Sequence, residues 1–110
     1  MQFIQPNEEY KCIPCNRRFS FIEANQNWKC PSCFNPISIK FSIDNFFHNC
    51  HRLHPNELKV GELVTLEGIN IHEILNIKIN GNVFTLALKQ YKAVKFGADD
   101  FILMINGAWS

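Results

Sequence analysis

The segments KCIPCN (11–16) and KCPSCFN (29–35) decide how the first part of this chain folds. They carry four cysteines in the spacing C-x2-C-x14-C-x2-C, namely Cys12, Cys15, Cys30 and Cys33. A tight turn in each C-x-x-C segment brings two thiolates to one side of a loop, and two such loops complete a tetrahedron of sulfur ligands. Soft thiolates suit Zn2+, and four protein ligands leave no position for water or substrate. The spacing therefore predicts one structural zinc ion.

Two other interpretations of these cysteines stay open at this point. In one, the thiols are simply buried or form disulfides; in the other, the same four sulfurs hold iron, as in a rubredoxin-like site. A thioredoxin-like redox pair needs a strand-and-helix setting that the sequence does not have. The chain has five cysteines, and an odd count is more typical of a reducing compartment than of an oxidising one. This count favours metal binding over disulfides.

Residues 8–40 resemble the zinc ribbon family in these two cysteine segments. Many members carry glycine directly after the second cysteine of a pair, where this chain has Asn16 and Phe34. Asparagine tolerates the left-handed backbone of such turns, whereas for the second turn we expect Asn35 to adopt that conformation in place of Phe34. The resemblance implies a ribbon with a small core made of Phe19, Phe21, Trp28, Ile37 and Ile39.

The composition changes near residue 40, where a segment rich in cysteine and proline gives way to alternating apolar and polar residues. A ribbon this short needs a metal to fold, because domains below about 40 residues rarely hold together without one. We therefore predict three parts, which are a zinc ribbon (1–40), a connector (41–56) and a small β domain (57–110).

The connector, FSIDNFFHNCHRLHPN, predicts a short helix with Asp44 as its N-cap and Pro55 at its end. Phe46, Phe47 and Cys50 fall on neighbouring positions of that helix, which indicates that the flanking domains pack together. The connector also contains a cluster of His48, Cys50, His51 and His54. One hypothesis makes it a second metal site or a Cys–His nucleophilic pair, but no orienting carboxylate stands at a recognisable spacing. We therefore expect these residues to serve packing.

The last part of the chain reads as strands. IHEILNIKI (71–79) and NVFTLALK (82–89) flank the dipeptide Asn80-Gly81, a strong hairpin signal. GELVTLEG (61–68), AVKF (93–96) and FILMIN (101–106) bring the total to about five strands, and FILMIN suits a strand that is buried on both faces or closes a barrel. The pattern is generically similar to SH3-like or OB-type barrels. The predicted fold class is mainly β: a zinc ribbon, a short connecting helix and a five-stranded antiparallel β-barrel.

A formal net charge of +1 provides no overall attraction to nucleic acid, so binding would need a local patch. One candidate patch lies in the β domain, where the segment between Ile74 and Ala98 has no acidic residue and carries Lys78, Lys89, Tyr91, Lys92 and Lys95. Lysines beside an exposed aromatic ring hold phosphates and stack a base, although lysine on a strand edge also prevents sheet aggregation. A second candidate comes from the ribbon resemblance, because ribbons often present such cations to nucleic acid or protein: Arg17, Arg18 and Lys29.

The sequence contains no paired catalytic carboxylates, phosphate loop or hydrolase motif, and its predicted metal site is closed. We therefore expect neither enzymatic activity nor a small-molecule substrate. No apolar run is long enough for a membrane span and MQFIQPNEEY lacks the features of a secretory signal, which predicts a cytoplasmic protein. Two hypotheses for function remain. The first is a nucleic-acid-binding module or accessory factor of a nucleic-acid machine; the second is a small adaptor or inhibitor of a larger protein, of the phage or plasmid type.

Overall fold

The computed structural model describes residues 4–109, and its regular structure is almost entirely β. The elements are β1 (Glu9–Cys12), β2 (Arg17–Phe19), α1 (Phe21–Ala24), β3 (Ser38–Ile43), β4 (Phe46–Leu53), a 3-10 turn (Pro55–Glu57), β5 (Leu63–Thr65), β6 (His72–Asn80), β7 (Val83–Leu88), β8 (Val94–Gly97) and β9 (Ile102–Ala108). These nine strands form one antiparallel sheet in the order β2-β1-β3-β4-β9-β5-β6-β7-β8. The predicted mainly-β class is confirmed. No helix in the described part of the chain is both long and apolar enough to cross a membrane.

The predicted five-stranded barrel is wrong, because the sheet has nine strands and does not close. Strand β9 pairs with β5 along one edge and with β4 along the other, so that Leu103 lies opposite both Thr65 and Arg52. Since both edges of β9 are occupied, the strands after residue 57 continue into the N-terminal strands instead of curling back on themselves. The free edges of the sheet belong to β2 and β8.

The predicted connector helix is also wrong, because residues 46–53 form β4. Asp44 and Asn45 have φ angles of 51° and 66°, as the central residues of a two-residue hairpin turn do, and Ile43 pairs with Phe46 across that turn. Asp44 is therefore a turn residue and not an N-cap. The spacing of the apolar residues suits a short helix, but only a strand can accept backbone hydrogen bonds from β3 on one edge and β9 on the other.

The first four residues of β9, 102–105, are buried on both faces, as one of the two interpretations of FILMIN predicted. Its alternate residues contribute to different cores: Leu103 and Ile105 pack in the first, whereas Ile102 and Met104 pack in the second. The first core also contains residues next to the cysteines, such as Trp28 and Ile39, and the second contains those of β6 and β7. The two cores therefore lie on opposite faces of the sheet at β9. The division of the chain at residues 40 and 56 stays a prediction.

The predicted hairpin at Asn80-Gly81 is confirmed, with its turn displaced by one residue. Asn80 pairs with Val83, which leaves Gly81 and Asn82 as the two loop residues. Gly81 has φ of 62° and is the first of the two, which is the glycine position of a type II′ turn.

Candidate metal centre

The first pair of cysteines lies at the end of the hairpin formed by β1 and β2. Cys12 ends β1 and pairs with Arg17, while Cys15 lies in the turn between them. The backbone N–H of Asn16 donates to the carbonyl oxygen of Ile13 at 3.2 Å, which closes the turn. Asn16 has φ of 50°, so it adopts the left-handed conformation expected of it.

The second pair lies at the tip of another short hairpin. Its sides are joined by a bridge between Lys29 and Pro36, and the N–H of Phe34 donates to the carbonyl oxygen of Cys30 at 2.8 Å. The left-handed residue is Phe34, with φ of 62°, so the assignment of that role to Asn35 is wrong. The hydrogen bond to Cys30 requires the reversal directly after Cys33, and the Phe34 ring is 71% exposed, so it does not clash with the core.

Pairing between β1 and β3 brings the two turns together. Lys11 pairs with Ser38, which places the end of β1 beside the chain leaving the second turn. The Sγ atoms of Cys12 and Cys33 are 3.4 Å apart and those of Cys15 and Cys30 are 4.0 Å apart; all four lie within 4.8 Å of one another. Four sulfurs at about 2.3 Å from a central zinc ion would be roughly 3.8 Å apart. The four cysteines are positioned to hold one metal ion.

The backbone prepares the second pair of thiols for coordination. Hydrogen bonds from the N–H groups of Cys33 and Ser32 lower the pKa of Cys30 to about 6, and the N–H of Asn35 similarly lowers the pKa of Cys33. The pKa values of the first pair, Cys12 and Cys15, are raised instead. Burial raises the pKa of Cys12, and hydrogen bonds to the Cys33 and Cys12 sulfurs raise the pKa of Cys15 to about 12. A divalent cation among the four sulfurs deprotonates all of them, because it stabilises the thiolates directly.

A compact aromatic cluster packs in the same core as Cys12 and Cys30. Trp28 is completely buried, and its ring lies 5.8 Å from that of Tyr10 and 6.1 Å from that of Phe21. Of the five predicted core residues, four are buried, while Phe21 is 39% exposed because it begins the single-turn helix α1. Ser20 caps this helix, accepting from the N–H of Glu23, whose carboxylate accepts from the N–H of Ser20 in return.

The side chains of His48, Cys50, His51 and His54 are not grouped closely enough to hold a metal ion. Cys50 is buried in the first core, and Nδ1 of His51 lies 3.0 Å from the carbonyl oxygen of Ile37. The ring of His54 stacks on Phe101 at 4.2 Å. Within residues 4–109, the four cysteines are the one group of potential ligands close enough to hold a metal. That these residues serve only packing stays a prediction.

Each of the three ribbon cations has a carboxylate partner. Arg17 lies 3.4 Å from Glu23, Arg18 lies 3.0 Å from Glu9 and Lys29 lies 2.6 Å from Glu57. Glu9 also pairs with Lys40 at 3.0 Å, and these contacts hold the pKa of Glu9 below its ordinary value. Each ribbon cation is therefore paired with a carboxylate within the molecule, which no pattern in the sequence had indicated.

The lysines of the β domain are arranged differently. Lys78 on β6 and Lys95 on β8 both pair with Thr85 on β7, so the three side chains form a row across the strands. Lys89 and Lys92 lie beyond the other end of β7, where the Tyr91 ring stacks on His72 at 4.7 Å. All four lysines are exposed, and none makes an ion pair with another residue of the described range.

The sequence analysis missed two contacts between lysines and aromatic rings. Nζ of Lys40 lies 4.3 Å from the ring centre of Phe47, and Nζ of Lys11 lies 4.3 Å from that of Trp109. The predicted helix over residues 46–53 could not indicate the contact between Lys40 and Phe47, because these side chains meet only when β3 pairs with β4. The alternation of polar and apolar residues in SIKFSI was the available signal.

No protein-family model, curated protein or solved structure matches this chain. Its function is therefore argued from the geometry of its own residues.

Proposed function

We propose that this protein is a non-enzymatic, zinc-stabilised module that binds nucleic acid. The all-sulfur donor set, the sulfur distances of 3.4 and 4.0 Å and the position of both C-x-x-C turns at hairpin ends support a zinc ribbon. Four protein ligands complete the coordination shell of zinc, so the metal would stabilise the fold and leave no site for a substrate. Iron is the main competitor for the same sulfurs.

The observation that carries the nucleic-acid proposal is the row of Lys78, Thr85 and Lys95, which we call the basic face. Its two ammonium groups are exposed and have no carboxylate partner in the described range. Lys78 and Lys95 lie on either side of the same strand, so their backbones are about 10 Å apart. Two such cations together with a hydroxyl suit successive phosphates of a nucleic-acid backbone. Lys89, Lys92 and Tyr91 extend the positive surface towards the other end of β7.

A titration at two salt concentrations tests this proposal. The full chain is titrated into labelled single-stranded and duplex DNA and RNA at 50 and 200 mM salt. Three phosphate contacts to a single strand would weaken binding by about 20-fold over that range, because each contact releases counterions. Lys78→Ala/Lys95→Ala should weaken binding at low salt and flatten the salt dependence.

A matched control is available in the ribbon. Arg17→Ala/Lys29→Ala removes the same charge from residues that have carboxylate partners, so it should leave binding nearly unchanged. If the ribbon variant weakens binding and the Lys78/Lys95 variant does not, the interface lies on the ribbon. If the wild type does not bind at 50 mM salt, the proposal is wrong.

A second candidate function rests on a separate observation. Several apolar side chains in the N-terminal part of the chain are exposed, including Ile13 (57%) and Phe34 (71%) beside cysteines and Ile22 (75%) in α1. Such side chains suit a protein partner, as expected of a small adaptor or inhibitor. Phe34→Ser combined with Ile13→Ser would abolish capture of that partner without changing nucleic-acid binding.

A further inference from the structure

Strands β1, β3 and β4 carry a second, partly exposed surface, on the side of the sheet opposite to the first core. Lys11 alternates with the buried Tyr10 and Cys12 along β1, and Lys40 alternates with buried residues of β3. Phe47 is in step with Lys40, because it pairs with Ser42, two residues further along β3. We call Lys11, Lys40, Phe47 and Trp109 the aromatic face.

Trp109 joins this surface from the end of the sheet. Its backbone N–H donates to the carbonyl oxygen of Phe47 at 3.1 Å, which ties the residue to β4 directly after β9 ends. The indole reaches Lys11, two strands away from β4. The aromatic face is thus assembled from four separate parts of the chain.

Each ring of the aromatic face is held by an ammonium group. Lys40 lies over Phe47 and Lys11 lies over Trp109, both at 4.3 Å from the ring centre. A cation on one side of a ring fixes the orientation of that ring. Phe47 nevertheless remains 49% exposed, so part of its surface is available to a flat ligand.

The charge of this surface favours an anionic ligand. Arg18 of β2 pairs with Lys11 and lies on the same side of the sheet. Glu9 is the one carboxylate that the described strands place there, and it pairs with both Arg18 and Lys40. Arg18 and Lys40 share this one carboxylate, which leaves one positive charge in excess next to the Phe47 ring.

We infer that the aromatic face stacks unpaired bases of a single-stranded nucleic acid, with Lys11 and Lys40 close to its phosphates. The inference rests on the proposed function and adds the class of ligand. Base stacking on aromatic side chains tolerates every sequence and requires bases whose flat sides are free, which a duplex does not offer. A strand of 15 nucleotides spans roughly 50 Å at 3.4 Å per nucleotide, so it can reach beyond the 36 Å long axis of the molecule.

The experiment compares two probes of equal charge. One is a labelled 15-nucleotide oligothymidylate, and the other is an abasic deoxyribose-phosphate chain of the same length. Binding of the first should quench the fluorescence of Trp109, because Trp28 is completely buried. Phe47→Leu and Trp109→Leu should each weaken oligothymidylate binding by roughly tenfold and leave abasic binding unchanged. Phe47→Tyr, which keeps the ring, should bind as the wild type does.

Phe46→Leu provides a closely matched control. Phe46 is the neighbouring exposed phenylalanine, and strand alternation directs it to the other side of β4. This variant should bind within twofold of the wild type, and thermal unfolding of all variants checks that they remain folded.

Several results would overturn the inference alone. If Phe47→Leu binds oligothymidylate normally, if Trp109 is not quenched or if a duplex binds as tightly as a single strand, then the aromatic face does not stack bases. The basic-face proposal survives these results as long as Lys78→Ala/Lys95→Ala weakens binding of the abasic probe. If the wild type binds neither probe at 50 mM salt, both proposals are wrong. If the aromatic face instead binds a protein, the base-stacking inference is wrong.

Discussion

Arg52 of β4 and Glu8 form a buried, two-pronged ion pair. Nη1 of Arg52 lies 2.7 Å from Oε1 of Glu8, Nη2 lies 2.9 Å from Oε2, and both side chains are at most 2% exposed. The hydroxyl of Tyr10 donates to the same carboxylate at 2.9 Å, and the guanidinium lies 4.4 Å from the ring centre of Trp28. The pair thus ties the segment before β1 to the middle of the sheet, next to the aromatic cluster that supports the cysteines.

Removing one partner of this pair should be strongly destabilising. Glu8→Gln leaves the guanidinium of Arg52 buried without its counter-ion, and we expect the free energy of unfolding to fall by about 3–5 kcal/mol. Chemical denaturation measures the effect. Glu8→Leu/Arg52→Met should recover much of the loss, because it removes both charges; a double variant as unstable as Glu8→Gln would contradict this account.

Metal analysis of the purified protein should give one metal ion per chain, which we expect to be zinc. Cys30→Ser should lose the metal, whereas Cys50→Ala should keep it, because Cys50 is not one of the four cysteines whose sulfurs lie within 4.8 Å of one another. Chelation should disrupt residues 8–40, since the binding energy of a structural metal is folding energy. Circular dichroism and mass spectrometry follow the two effects, and a metal-free chain with an unchanged spectrum would contradict the prediction.

Stability should depend on pH through His51. Burial lowers the pKa of this ring below its usual 6.5, although the carbonyl oxygen of Ile37 opposes the shift. The unfolded chain therefore takes up the proton more readily, so the contribution of His51 is complete above pH 6.5 and is lost as the pH falls through the lowered pKa. An NMR titration gives the ring pKa directly, and His51→Gln should show a flatter stability profile as the pH falls below 6.5. If the wild type and His51→Gln lose stability equally as the pH falls, His51 is not the source of the pH dependence.

Gly81→Ala should destabilise the β6–β7 hairpin by about 1–2 kcal/mol. The position has φ of 62°, and an added Cβ would meet no atom within 4 Å, so the cost comes from the left-handed backbone alone. Thermal unfolding measures it. Because the alanine creates no clash, the basic face should stay intact and nucleic-acid affinity should change little; a loss above 3 kcal/mol would indicate another role for this residue.

The metal site was predictable because its information is local. Each C-x-x-C turn needs only four consecutive residues, and the left-handed residue after it needs one more. Phe34 shows the limit of that reasoning, because the hydrogen bond to Cys30 fixes the left-handed position more strongly than the preference of the side chain does.

The connector could not be read in the same way. Phe46, Phe47, Cys50 and Leu53 suit a helix by spacing, and nothing in residues 41–56 alone reports that β9, some fifty residues later, pairs with them. Asp44 and Asn45 were consistent with a turn as well as with a cap, since both residue types adopt positive φ. The pairing of β9 with β4 also explains why the predicted barrel is an open sheet.

By itself, the sequence determined the four potential metal ligands, the mainly-β class, the β6–β7 hairpin and a largely apolar strand within 101–106. These features depend on spacing and alternation within a few residues. Only the tertiary structure decided that β9 joins β4 to β5, that the ribbon cations pair with carboxylates and that Lys40 contacts Phe47. The reason is physical: strand pairing and side-chain contacts form between residues far apart in sequence, and their free energy depends on a register that no local pattern specifies.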